Sequence, residues 1–190
     1  MLLASLLAGM FAFPAAAALK SGDSAPEFTA QASFAGKASE YSLKDALRKG
    51  PVVVYFYPSA FTGGCNLQAH TFAENQEKFA AAGATIIGVS LDSIERLNDF
   101  SKNPDYCNSK FPVASDTGGT IAKSYDLNVR QGPSGLKDTR GVEIDHAFTE
   151  RTTFIVAPDG KIAATVGGVD PKANVEKTLE AVQHLSPKGY

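Results

Sequence analysis

The reactive chemistry available to this 190-residue chain rests on two cysteines, and one of them sits in a setting suited to a nucleophile. Cys65 ends the stretch Tyr57-Pro58-Ser59-Ala60-Phe61-Thr62-Gly63-Gly64-Cys65, directly after the apolar run Val52-Val53-Val54-Tyr55-Phe56. A β-branched run bounded by Pro and followed by Gly-Gly reads as a buried strand ending in a loop, and Asn66 to Ala81 reads as a helix. Cys65 is therefore expected in the first helical turn. Free backbone N–H groups and the positive end of the helix dipole favour an anion there, and the thiolate is the reactive form of cysteine.

Cys107 lies in the polar segment Asn103-Pro104-Asp105-Tyr106-Cys107-Asn108-Ser109-Lys110. An even pair of cysteines also allows one structural disulfide, and a buried inert thiol is the blander reading of Cys65. No Cys-x-x-Cys pair is present, and two Cys with three scattered His make no convincing zinc set. His70 stands five residues after Cys65, where helical rotation carries it away from the cysteine face; Gln68 at i+3 is nearer. His146 and His184 have no motif around them.

The elements that must position Cys65 read as follows. A short strand or hairpin around Glu27 to Tyr41 precedes a short helix to Arg48 capped by Ser42. The strand after Pro51, the Cys65 helix and a second buried strand at Thr85 to Ser90 come next. Asp92 and Glu95 resemble a capping box for a helix at Ser93 to Ser101. Phe111 to Ala114 gives a short strand and Gly118 to Tyr125 a short helix. Thr152 to Val156 pairs with Ile162 to Val166 across the Pro158-Asp159-Gly160 turn. Asp170-Pro171 opens a last helix with Val175, Leu179 and Val182 on one face. Leu127 to Ala147 lacks a strong period and reads as a long loop bordering the active site. Alternating strands and helices closed by an antiparallel hairpin describe an α/β class, a central mixed sheet flanked by helices.

A hydrophobic fraction of 44% suits one domain with a real core. Net charge is −2, and without a basic run or basic-aromatic stripe nucleic acid is not an expected partner. Leu2 to Phe13 is apolar and is followed by Pro14 and small residues before the first charge at Lys20. This reads as a signal peptide over 1–18, with the folded domain at 19–190. Export is expected, to a bacterial periplasm or alternatively an organelle lumen. No later segment is long and apolar enough to span a bilayer, so no membrane partner is expected after cleavage.

The spacing Pro58-x-x-x-Thr62-x-x-Cys65 resembles the active-site signature of the peroxiredoxins, and Phe56-Tyr57-Pro58, Gly64 and Gln68 look most like the Q-type (bacterioferritin comigratory) branch. The resemblance continues in family order through Gly88-Val89-Ser90, Phe111 to Asp116, Arg151 to Val156 and Pro158 to Ile162, covering nearly all of the chain after the leader. Three positions depart from the pattern. Gly63 stands where the family usually has Pro, Asn66 replaces the common Thr, and His70 occupies the place where many Q-type members carry the resolving cysteine. The looser residue at 63 leaves the loop less preset.

The resemblance implies a thioredoxin-like fold and a thiol-dependent peroxidase. Cys65 would attack the peroxide; the Thr62 hydroxyl would bind thiolate and substrate; the Cys65 and Gly64 N–H groups would help hold it. Arg151 would stabilise sulfur and developing charge, and Pro58 would shield the thiolate. Such fixed donors aimed at developing charge are what the reaction needs. Cys107 would act as resolving cysteine, with a free thiol or a static disulfide as the other readings. The substrate would be hydrogen peroxide or a small organic hydroperoxide. A thioredoxin-like protein or a small thiol would be the reductant. No metal, haem or flavin is implied, and the chain would be a monomer or homodimer. A one-cysteine peroxidase resolved by an external thiol, and a non-enzymatic redox sensor or interaction module, are the rival functions.

Overall fold

In the computed structural model residues 17–185 are described. Among them seven strands form one mixed sheet in the order β2 (Lys37–Ser42), β1 (Thr29–Phe34), β5 (Val113–Ser115), β4 (Thr85–Ser90), β3 (Val52–Phe56), β8 (Thr152–Val156) and β9 (Ile162–Gly167). The hairpin β1 (Thr29–Phe34) and β2 (Lys37–Ser42) adds to one edge through the antiparallel pairing of β1 with β5 (Val113–Ser115). At the centre β3 (Val52–Phe56) and β4 (Thr85–Ser90) run parallel, and β5 continues that direction. The hairpin β8 (Thr152–Val156) and β9 (Ile162–Gly167) closes the other edge antiparallel to β3. This is the thioredoxin-like arrangement.

Strand β3 is buried along its whole length because both faces are covered. Its side chains alternate: Val53 and Tyr55 join one core, Val52, Val54 and Phe56 the other. The first core also contains Phe72 and Phe79 of α2 (Gly63–Ala81), Leu97 and Phe100 of α3 (Ile94–Lys102), and Val175 and Val182 of α5 (Pro171–Leu185). The second is covered by α1 (Leu43–Leu47) and α4 (Thr120–Ser124). Ser42 caps α1 by accepting from the Asp45 N–H at 3.3 Å. Asp170 accepts from the Lys172 and Ala173 N–H groups before α5, whose first residue is Pro171.

The boundaries hold to within a few residues, but the capping box at Asp92 does not. Ser93 caps α3 by accepting from the Arg96 N–H at 3.3 Å, while the Asp92 carboxylate points into the protein and is fully buried. The segment from Leu127 to Ala147 is not structureless either. It carries β6 (Val129–Arg130), which pairs with β7 (Phe148–Thr149), and its middle folds onto the turn before Cys65. All but the last two residues of the expected leader lie outside the described residues. Leu19, the first residue after it, is packed: its N–H donates to the Tyr125 carbonyl and its own carbonyl accepts from Thr165.

Gly88 in β4 is set by close approach, since an added Cβ would lie 2.7 Å from both Cζ and Oη of buried Tyr55. Gly88→Ala is expected to cost about 1–3 kcal/mol through overpacking, read as a lower urea midpoint at unchanged slope.

Candidate active site

Cys65 is the third residue of α2, and its side chain is 2% exposed. The helix starts at Gly63, three residues before the expected Asn66, with Thr62 as N-cap in extended conformation. The first intrahelical bond runs from the Asn66 N–H to the Thr62 carbonyl at 2.8 Å. The N–H groups of Gly63, Gly64 and Cys65 therefore precede the helical ladder, which makes the turn a donor cluster.

Arg151, immediately before β8, reaches this cluster. Its Nη2 lies 3.4 Å from Cys65 Sγ, and its Nη1 donates to Gln68 Oε1. Gln68 is fully buried and donates through Nε2 to Asn174 Oδ1 at 2.9 Å. That oxygen also accepts from the Thr153 hydroxyl at 2.7 Å, and Asn174 Nδ2 donates to the Val166 carbonyl. A buried polar chain from β8, β9 and α5 thus fixes the guanidinium beside the sulfur. Gly64 matters for the same reason: a Cβ there would lie 3.2 Å from Arg151 Nη2 and 3.3 Å from Pro171.

Thr62 lies in the site, but its hydroxyl donates to the Ser59 carbonyl at 2.8 Å. With its hydrogen so committed, the hydroxyl oxygen is available as an acceptor for an incoming O–H. Pro58 is half-buried at the end of β3, and Gly63 is exposed with open space where a Cβ would stand. His70 is not paired with Cys65. Its Nδ1 faces the Asp105 carbonyl at 3.1 Å and its Nε2 lies 3.4 Å from Glu74.

Cys107 is fully buried in the same core cluster as Cys65, although its neighbours in sequence are polar. Both thiols are free. Burial pushes the Cys107 pKa well up, which keeps this thiol protonated in the folded arrangement. The next two residues, Asn108 and Ser109, both have positive φ, 48° and 54°, so the segment is tightly turned.

The polar cluster behind the Cys65 turn was not legible as such. Asp92 Oδ1 accepts from the Ser59 hydroxyl at 3.1 Å and Arg96 Nε at 2.7 Å, and it faces His146 Nε2 at 2.9 Å. Its Oδ2 accepts from the Ala60 N–H at 2.8 Å and the Ser90 hydroxyl at 2.7 Å. Arg96 Nη2 adds the Ala60 carbonyl and Asp138, each at 2.8 Å. Thr139 donates to the Phe61 carbonyl through both its N–H and its hydroxyl, and Arg140 lies 3.3 Å over the Phe61 ring. Phe61 itself has φ of 61°, a strained value for a bulky residue, next to the reactive cysteine.

Burial alone would raise the Asp92 pKa, but the hydrogen bond and charge of His146 and the donors from Ala60 and Ser90 hold it below the ordinary carboxylate value. Burial alone would lower the His146 pKa, but its bond to Asp92, the Asp92 charge and the Ala147 carbonyl raise it above 6.5. A carboxylate directly after the buried end of a strand, at Ser90-Leu91-Asp92, is a signal that could have been read; Asp145-His146 offers none.

A family model described as AhpC/TSA family matches residues 21–165. This chain belongs to the AhpC/TSA family. It is 34% identical over 159 residues to a Mycobacterium tuberculosis protein provisionally named a peroxiredoxin, covering 84% of this chain and 92% of that one. Peroxiredoxin Bcp of Bacillus subtilis is 31% identical over 137 residues, covering 72% and 80%. Among solved structures, peroxidoxin BcpB from Mycobacterium tuberculosis superposes with a TM-score of 0.73 at 25% identity, covering 89% of this chain and 99% of that chain. The Q-type resemblance read from Gln68 and its neighbours agrees with these relatives.

The site sets a pH dependence of stability. Asp92, with its lowered pKa, contributes above the ordinary 3.8 and loses that contribution as pH falls through its folded value. His146, with its raised pKa, contributes fully below 6.5 and loses that contribution as pH rises through its folded value. Urea unfolding across pH should therefore give this pair's largest contribution between the two ordinary values, 3.8 and 6.5. That maximum should flatten in Asp92→Asn.

Proposed function

We propose that this member of the peroxiredoxin family reduces hydrogen peroxide or a small hydroperoxide at Cys65, with Arg151 as the charge-stabilising group and Cys107 as the resolving thiol. The observation that carries the reading is the 3.4 Å approach of Arg151 Nη2 to a buried sulfur at a helix N-terminus. The Cys65 thiolate attacks one peroxide oxygen, the O–O bond breaks, and the departing oxygen takes a proton to leave as water or an alcohol. Cys65 becomes a sulfenic acid. The Arg151 guanidinium and the N–H groups of Gly64 and Cys65 oppose the negative charge on sulfur and leaving oxygen, while the Thr62 oxygen accepts from the peroxide hydroxyl.

Resolution joins the Cys107 sulfur to Cys65 and releases the sulfenic oxygen as water; a thioredoxin-like dithiol protein or a small thiol then reduces the disulfide. A disulfide needs Cα atoms within about 7 Å and a deprotonated attacking thiol, so Cys107 must leave its apolar surroundings and the first turn of α2 must open. The full burial of Cys107 is also what favours the second reading, in which an external thiol resolves Cys65 directly. Export belongs to the same proposal, supported by the apolar run Leu2 to Phe13, and it makes the supply of reductant the demanding step. We take the working unit to be a monomer or homodimer.

Stopped-flow oxidation of the pre-reduced protein by hydrogen peroxide, followed by intact mass, tests this directly. Cys65→Ser should abolish the reaction, and Arg151→Gln should slow it about 10²-fold, as for loss of one fixed donor. Cys107→Ser should react normally and stop with one added oxygen. Turnover with a dithiol reductant should then fail; survival of that turnover would establish the external-thiol mechanism instead.

A further inference from the structure

The hydrogen-bond geometry of His146 favours one protonation state. Its Nδ1 lies 2.8 Å from the Ala147 carbonyl, and its Nε2 lies 2.9 Å from Asp92 Oδ1 and 3.2 Å from the Ser59 hydroxyl. A carbonyl and a carboxylate only accept, so the ring that satisfies both contacts by donating from both nitrogens is the imidazolium. The cation faces Asp92 from the turn after β4 and Arg96 from α3, and the cleft outside the ring is lined by Lys123 of α4, Arg130 of β6 and Asp145. Its side chain is 14% exposed, enough for proton exchange through that cleft.

Ser59 and Ala60, which share Asp92 with His146, begin the turn that ends at Cys65. We propose that His146 is a positioning residue for Cys65. Protonated on both nitrogens, it holds Asp92 against the Ser59–Ala60 turn in the peroxide-reactive arrangement. Loss of one proton frees that turn and favours the open arrangement in which Cys65 and Cys107 join. On deprotonation one ring nitrogen presents a lone pair to an acceptor. At Nε2 this repels Asp92, which anchors the turn; at Nδ1 it repels the Ala147 carbonyl, which carries His146. Both weaken the same clamp. The raised pKa of His146 agrees with this reading. No redox change occurs at His146, and the step it controls consumes one sulfenic acid and one thiol and yields a disulfide and water.

The proposal rests on Cys65 as the peroxide-reactive thiol, and its test separates the two. Nuclear magnetic resonance titration of ring-labelled histidines follows His146 beside His70 and His184 in the reduced wild-type protein. Stopped-flow then gives, across pH, the rates of Cys65 oxidation and of disulfide formation in wild type and His146→Gln. The expected result is that His146 titrates above the ordinary imidazole value of 6.5. Wild-type oxidation should lose a component, and disulfide formation gain one, at that same pH. His146→Gln should lack both, oxidising about tenfold more slowly at low pH, the order expected for one charge-assisted bond. Fast oxidation with the same pH profile in both proteins overturns the role of His146 alone. So does His146 titrating at or below the ordinary imidazole value of 6.5, a result that needs no variant. Wild-type Cys65 reacting no faster than a free thiol at every pH overturns both readings.

Discussion

The arrangement depends on one buried carboxylate. Asp92 sits where β4 ends and α3 has not begun, fully buried, and its two oxygens meet the Ser59 hydroxyl, the Ala60 N–H, the Ser90 hydroxyl, Arg96 and His146. A charge so placed is tolerated only when it is paired and its lone pairs are satisfied. Removing one partner leaves the rest exposed to a large desolvation cost. The turn between β3 and α2 is thereby held by long-range bonds in addition to the Thr62–Ser59 bond within it. This explains how the site accommodates glycine at position 63, where the family pattern has Pro. The restraint that Pro would supply from within the loop is met here from outside it, by Asp92, Arg96 and Thr139.

A second constraint follows from the burial of both thiols. Cys65 is held for reaction by Arg151 and the helix N-terminus, while Cys107 is buried in apolar surroundings that keep it protonated. In the proposed cycle the folded arrangement therefore suits the peroxide step and opposes resolution by Cys107. Phe61 links the two segments, since its ring packs edge-on against Tyr106, the neighbour of Cys107, at 5.6 Å and against Phe100 at 5.1 Å. Its strained φ is paid for by these rings and by Arg140.

Much of the fold was legible because hydrophobic period and turn chemistry act locally. The run Val52 to Phe56, the Pro158-Asp159-Gly160 turn and the Asp170-Pro171 start each specify their element within a few residues. Cys65 and Arg151 were legible through the spelling of their segments, and Gln68 through its i+3 spacing. Asp92 was misread because Asp-x-x-Glu before a helix satisfies a local capping rule, and only the tertiary fold reveals that Ser93 takes the cap. His146, Arg96 and Asn174 were silent because their roles depend on partners tens of residues away. The burial of Cys107 was hidden by its polar neighbours, which face outward while the sulfur turns in.

The Asp92 cluster, acting across the fold, holds the turn that positions Cys65. The most direct measurement is the second-order rate of Cys65 oxidation by hydrogen peroxide in Asp92→Asn, under conditions where circular dichroism and the chemical shifts of the central sheet establish that the variant is folded. Dependence of Cys65 reactivity on that cluster predicts a folded protein whose Cys65 reacts at least about tenfold more slowly, the order expected for lost charge-assisted anchoring. A folded variant that oxidises at the wild-type rate would contradict it.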